Sequence, residues 1–272
     1  MNLILLEPHE IDGRGRVVLI DRRARHICNV LRARPGDGVR IGAIRGPRGT
    51  GEIIDINSSP RVEMQVHWNR SPSPVPQIDL VLAVPRPKVL ARTLRAAACL
   101  GVRRIDLVNA WRVDKNYFSS HELKPTSLRD NLLRGCEQAE TTWLPDIDVH
   151  RLFTPFAQGP LNASVGPQRR SDEAERPGDR TSDRVRFVVA HPPAGRTIET
   201  VIAPGTSASI VAAIGPERGW IDGEIKALVQ LGAVPVTLSA HVLSVETVVA
   251  SLLSQVELLR RLPTSSDYLL DS

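Results

Sequence analysis

The sequence predicts a small β-barrel followed by a larger α/β domain, on three observations. The first 70 residues hold short apolar or alternating runs punctuated by Gly, Pro and Asp. A proline-rich stretch, Ser71-Pro72-Ser73-Pro74-Val75-Pro76, then breaks the pattern as a stiff, extended linker. Beyond it, continuous apolar runs of strand length alternate with runs of helical periodicity.

In the first segment the strand-like runs are Asn2–Glu7, Val17–Ile20, Val39–Ile44, Gly51–Ile56 and Val62–Trp68. One helix interrupts them over Arg22–Arg32, with Asp21 as its N-cap and Ile27, Val30 and Leu31 as its apolar face. Pro35-Gly36-Asp37-Gly38 is a turn. The domain is expected over 1–70 and the linker over 71–77. In the second domain, 78–272, strands are expected at Ile78–Val84, Ile105–Asn109, Arg186–Ala190, Ala208–Ile214 and Val234–Leu238. Helices are expected at Val89–Leu100, Ser127–Glu140, Asp222–Leu231 and Val245–Arg261, the first and third ended by Gly101 and Gly232. The periodicity fails between about 157 and 185. Gln168–Arg184 is charged, carries Pro, Gly and Ser and almost no large apolar residue, and reads as a mobile surface insertion.

Composition narrows the function classes. Of 272 residues, 42% are hydrophobic, which is enough for a core and excludes general disorder. A net charge of +5 permits a nucleic-acid partner, although many basic proteins bind none. Cys28, Cys99 and Cys136 form no metal-ligand spacing and read as small apolar residues of a reducing compartment. His191 and His241 also lack ligand spacing, so no metal is expected. MNLILLEPHE has no basic start, and no apolar run reaches the length of a membrane span; a cytoplasmic protein is expected. Gly46-Pro47-Arg48-Gly49-Thr50-Gly51 is glycine-rich but lacks the Gly-Lys-Ser/Thr ending of a phosphate loop, and reads as a hairpin turn.

Two stretches carry chemistry. Ile214-Gly215-Pro216-Glu217-Arg218-Gly219-Trp220 takes a buried strand through a Gly-Pro turn towards a helix. Open α/β sheets bind ligands at that end of their strands, and glycine lets a ligand approach the backbone. Leu238-Ser239-Ala240-His241-Val242-Leu243-Ser244-Val245-Glu246-Thr247 is a second strand-to-helix passage.

In order and spacing these stretches resemble the paired signatures of the ribosomal small-subunit methyltransferase E family, of the SPOUT class. Those signatures are a Gly-Pro-Glu-Gly-Gly loop, then Leu-Gly-x-Arg-Ile-Leu-Arg-x-Glu-Thr-Ala. His26 with Val30-Leu31-Arg32 and Gly36-Asp37, Leu100-Gly101-Val102 with Ile105, Glu137-Gln138 before Pro145, and His191-Pro192 extend the resemblance over nearly the whole chain.

The resemblance implies a PUA-like barrel and a SPOUT domain knotted as a trefoil, usually dimeric. It also implies S-adenosylmethionine as methyl donor and N3 of a uridine in 16S ribosomal RNA as acceptor. The implied donor pocket takes Ala190 and His191 from one strand end and Ile214, Gly215, Pro216, Glu217 and Gly219 from the next. Leu238, Ser239, Val242, Leu243 and Val245 complete it. No catalytic residue is assigned; Glu217, Arg218 and Glu246 are candidates, the two glutamates having structural roles as alternatives. Candidates for holding RNA are Arg22, Arg23, Arg25, His26, Arg32 and Arg34 in the barrel, with Arg86 and Lys88 after the first strand of the second domain.

The chain departs from the family pattern at Arg218 and Ser239, which replace glycines, and at His241 and Ser244, which replace arginines. No arginine follows Glu137-Gln138. A glycine replaced where φ is positive would cost energy, and a lost arginine removes a fixed charge. These departures keep a second reading open, an RNA-binding or ribosome-assembly protein with weakened catalysis.

Overall fold

The computed structural model describes residues 2–57, 60–166, 185–192 and 194–263. Gln168–Arg184, the core of the expected insertion, lies outside the described residues. Two compact units divide the chain, Met1–Val75 with Asp130–Leu144, and Pro76–Arg129 with Pro145–Ser272. Residues 130–144 thus group with the first unit, whereas the sequence reading placed them in an unbroken domain over 78–272.

The first unit is a curled five-stranded sheet. Its strands are β1 (Ile4–Leu6), β2 (Arg16–Leu19), β3 (Gly38–Ala43), β4 (Arg48–Asn57) and β5 (Arg61–Arg70), in the order β1-β3-β4-β5-β2. β1 runs parallel to β3 and the remaining pairs are antiparallel. The period of two holds in β5, where Val62, Met64 and Val66 enter the core with Leu6, Leu19 and Ile41. Gly49 sits at an irregularity in the β4–β5 ladder, where a Cβ would fall 2.0 Å from the carbonyl oxygen of His67. A neighbouring strand therefore demands that glycine, as a hairpin reading requires and a phosphate loop does not.

The expected helix over Arg22–Arg32 is shorter. α1 covers Arg22–His26, and one wide turn, Ile27–Leu31, follows it before Arg32 turns left-handed at φ 52°. Asp21 caps α1 by accepting from the Arg23 amide at 2.8 Å. Ala24 and Ile27 are buried, but Val30 and Leu31 are 65% and 46% exposed, so they do not form the apolar face expected of them. The widened turn rotates them off the stripe that regular 3.6-residue spacing would have buried.

Residues 130–144 attach to this unit through backbone groups. The Glu137 carbonyl accepts from the amides of Asn2 and Leu3, each at 3.1 Å, and the Thr142 carbonyl accepts from the Arg45 amide at 2.7 Å. The Ser73 amide donates to the Thr142 hydroxyl at 3.0 Å, and the Thr142 amide to the Ser73 hydroxyl at 2.9 Å.

The second unit holds a six-stranded, all-parallel sheet. Its elements begin with β6 (Ile78–Ala83), α2 (Pro87–Cys99), β7 (Arg104–Val108), α3 (Pro125–Ala139) and β8 (Asp146–His150). They continue with α4 (Phe153–Phe156), α5 (Asn162–Val165), β9 (Arg186–Ala190) and β10 (Ile210–Ile214). The last are α6 (Asp222–Gln230), β11 (Val234–Val236) and α7 (Val245–Arg261). The units divide within α3. The strand order is β11-β9-β10-β6-β7-β8. β6 and β10 are buried along their whole length, the pattern of strands covered on both faces. Gly101 and Gly232 end α2 and α6 at φ 78° and 95°.

Two regions depart from the sequence reading. β8 is an edge strand with a largely exposed Asp-Ile-Asp-Val-His sequence, and carries no apolar run by which to recognise it. The expected irregular segment beginning at 157 is helical as far as Val165, and buries Phe156, Ala157, Leu161 and Val165. Spacings of four and five residues across one wide turn hide that stripe from a 3.6-residue template. Cys136 is buried, whereas Cys99, read as a buried apolar residue, is exposed.

Candidate active site

β11, β9 and β10 are neighbours and run in one direction, so the segments that leave their carboxyl ends lie side by side on one edge of the sheet. These segments start at Thr237, His191 and Gly215. The sheet thereby brings together the donor-pocket candidates, which are separated by up to 55 residues along the chain. Hydrogen bonds tie the edge: the His191 amide donates to the Val236 carbonyl at 3.1 Å, and the Thr237 hydroxyl donates to the Ala194 carbonyl at 2.8 Å.

The Gly215–Gly219 loop is a tight turn in which the Gly219 amide donates to the Pro216 carbonyl at 2.7 Å. Gly219 holds φ 71° with open space where a Cβ would lie, so backbone conformation demands that glycine. Gly215 has a different reason. A Cβ there would meet Cδ1, Nε1 and N of Trp220 at 3.0, 3.1 and 3.2 Å. Trp220 is buried and packs on Phe153 with ring centroids 5.8 Å apart. Packing from below, and not ligand approach alone, therefore excludes a side chain at 215.

Arg218 and Ser239 do not have positive φ, which among described non-glycine residues is confined to Arg32, Arg45 and Glu140. The glycine-to-arginine and glycine-to-serine departures thus carry no left-handed strain. The Arg218 carbonyl accepts from Nη1 of Arg112 at 2.6 Å, while its own guanidinium is exposed and unpartnered among the described residues.

The carboxylate candidates are tied down. Oε1 of Glu217 accepts from the Arg86 amide at 2.9 Å and joins the loops leaving β10 and β6. This is the place where strand order reverses, the switch point at which open sheets form their ligand crevice. Glu246, in the first turn of α7, stands 3.7 Å from Arg92 of α2. Arg86 and Lys88 are exposed.

Leu238–Val245 is loosely tied. The Leu238 carbonyl accepts from Nε2 of Gln255 at 3.1 Å, and the Ser239 hydroxyl accepts from the His241 amide at 3.1 Å. The amides of Val242 and Leu243 have no partner among the described residues, and Val242 is 93% exposed. Unpaired amides beside apolar side chains suit a flat heterocycle, which needs edge hydrogen bonds and an apolar face. The residues present fit an adenosyl group.

Sequence reasoning missed the loop leaving β7. Glu224, buried at the start of α6, accepts from the Trp111 amide at 2.8 Å through Oε1 and from the Ile221 amide at 3.1 Å through Oε2. It thereby fastens Ala110–Val113 beside the Gly215–Gly219 turn. The signal available in the sequence was Trp111-Arg112, a bulky aromatic and an arginine directly after a strand.

The barrel arginines separate into two groups. Nη1 and Nη2 of Arg22 donate to both oxygens of buried Glu137 at 2.7 and 3.0 Å. Nη1 of Arg23, also buried, donates to the Leu5 carbonyl at 2.7 Å and to Glu10 at 2.8 Å, and its Nη2 donates to Asp21 at 2.8 Å. Burial opposes the Arg23 charge, but the hydrogen bonds it donates to Glu10 and Asp21 outweigh that and raise its pKa. These two arginines are structural cations. Arg25, Arg32 and Arg34 are exposed, and His26 is half-buried.

Comparison with known proteins matches two families to the chain. The RNA methyltransferase domain family matches residues 71–257, and the RNA methyltransferase PUA domain family matches 19–62. Ribosomal RNA small subunit methyltransferase E of Treponema pallidum is 27% identical over 252 residues, 91% of this chain and 87% of that protein. Ribosomal RNA small subunit methyltransferase E 1 of Borreliella burgdorferi is 23% identical, over 91% of this chain and 93% of its own. Among solved structures, methyltransferase E of Neisseria gonorrhoeae bound to S-adenosyl methionine superposes with TM-score 0.70 at 20% identity. That match covers 94% of this chain and 97% of the other.

Proposed function

Since the chain belongs to the RNA methyltransferase family, with a PUA-like first unit and a SPOUT trefoil-knot second unit, we propose that it transfers a methyl group from S-adenosylmethionine to N3 of a uridine in small-subunit ribosomal RNA. The observation that carries this reading is the meeting of His191, Gly215–Gly219 and Leu238–Val245 at one sheet edge. In this reading the amides of Val242 and Leu243 bind the edge of the adenine, and Ala190, Ile214, Pro216, Ser239 and Val245 line the pocket. The protein acts in the cytoplasm as a homodimer, and the barrel, 1–70, holds RNA.

Bound S-adenosylmethionine supplies an electrophilic methyl on a sulfonium. The chain has to align the uridine and favour loss of the N3 proton. Glu217 and Glu246 have structural partners, so the exposed Arg218 guanidinium is the group assigned to stabilise negative charge on the base. It takes over a charge that the family pattern places at 244, where this chain has serine. Among the described residues no helix is long and apolar enough to cross a membrane, and no cluster of His, Cys, Asp and Glu has metal-site geometry.

The test is methyl transfer from labelled donor to small-subunit particles lacking the modification, with the product nucleoside identified by mass spectrometry. Transfer yielding N3-methyluridine supports the reading. If the donor binds calorimetrically but no transfer occurs, the second reading holds, a weakened enzyme serving as a binding protein. That alternative is favoured by His241 and Ser244, which leave the last motif without arginine.

A further inference from the structure

Trp111 is 80% exposed, an unusual state for the largest apolar side chain, and it is not there through looseness. Ala110 and Val113 are buried at 2% and 6%, and the Val113 amide donates to the Ala110 carbonyl at 3.0 Å. The turn is thus anchored at both ends and thrusts its two central residues, Trp111 and Arg112, into solvent. Glu224 spends one oxygen of a carboxylate that is only 5% exposed on the Trp111 amide, at 2.8 Å. Burying a carboxylate is costly unless it is hydrogen-bonded, so the fold commits a costly group to fixing this turn. On its other side Arg112 donates to the Arg218 carbonyl at 2.6 Å. That bond ties the turn to the loop assigned to the donor.

We infer that Trp111 is a stacking platform for a base of the RNA substrate, with Arg112 and Arg218 supplying positive charge around it. The chemistry matches single-stranded RNA. Unpaired bases stack on aromatic faces, and exposed guanidiniums attract the adjoining phosphates. A uridine offered to the pocket must first leave its own stack, and a fixed indole compensates part of that loss. The indole is held by its backbone and not by side-chain packing, so its face is free. This inference rests on the methyltransferase reading.

The experiment compares wild type with Trp111→Ala and Trp111→Phe. The probes are a uridine-containing single-stranded RNA oligonucleotide for binding and unmodified small-subunit particles for turnover. Trp111→Ala is expected to weaken oligonucleotide binding and raise the KM for particles about tenfold, the loss of one stacked base. Trp111→Phe should remain within about threefold of wild type. S-adenosylmethionine affinity, Tm and the slope of log Kd against log salt should all be unchanged, because stacking releases no counterions. Equal RNA affinity in all three proteins overturns the inference. So does a change of solution mass in Trp111→Ala, which would place the indole against a second copy of the chain. Failure of wild type to transfer methyl at all would count against the methyltransferase reading instead, while oligonucleotide binding still tests the indole.

Discussion

Gly215→Ala separates two reasons for a glycine at the start of the Gly215–Gly219 loop. A Cβ at 215 would lie 3.0–3.2 Å from three atoms of Trp220, closer than ordinary van der Waals contact. The indole has little room to retreat, since Trp220 is 3% exposed and backed by Phe153. Forcing one methyl group into such packing costs about 1–3 kcal/mol. Taking roughly 1.5 kcal/mol, Tm should fall by about 3–6 °C for a unit of this size. Thermal unfolding of the variant without donor is the assay. In a Trp220→Leu background, which removes the two indole atoms and leaves only the backbone nitrogen at 3.2 Å, the added cost of Gly215→Ala should fall. An unchanged Tm together with weakened S-adenosylmethionine binding would refute the packing argument. It would mean that ligand approach alone demands the glycine.

Arg218→Gly should lower methyl transfer at least tenfold, and Ser244→Arg added to it should restore most of the rate, if the guanidinium replaces the charge missing at 244. An increase on Arg218→Gly would show that the side chain merely obstructs. Arg25, Arg32 and Arg34 changed together to alanine should reduce the salt dependence of RNA binding with donor affinity intact, each lost phosphate contact lowering the slope by about one. An unchanged slope would make them a solvated face. Arg23→Met should instead destabilise the first unit by about 3 kcal/mol, as removal of one partner from a buried ion pair does, read by chemical denaturation. Its pH dependence has a definite sign. Burial opposes ionisation of Glu10 and Asp21, but hydrogen bonds from Arg23 hold both below their ordinary 4.5 and 3.8. A depressed carboxyl pKa contributes stability above the unfolded value and loses it as pH falls through the folded one. Wild-type Tm should therefore decline below about pH 4.5, and Arg23→Met should flatten that decline.

Much of the architecture is local and was legible in the chain itself. The unbroken apolar runs of β6 and β10 require a sheet covered on both faces, and the glycines after α2 and α6 mark left-handed helix ends. The Gly215–Gly219 motif and its order against Leu238–Val245 point to the family from the sequence, because backbone turns and close packing restrict residue choice at each position. Three matters depended on partners distant in sequence. Glu137 lies 115 residues from Arg22, so no local pattern shows that Arg22 pairs with it. β8 is polar because it closes an edge, and the period-two or buried-run signal vanishes there. Trp111 is fixed by buried Glu224, 113 residues later, which holds its amide. Patterning of apolar residues reports which face a segment buries. It does not report which charged group it meets, and it is that pairing which separates structural arginines from exposed ones and a fixed indole from a stray one.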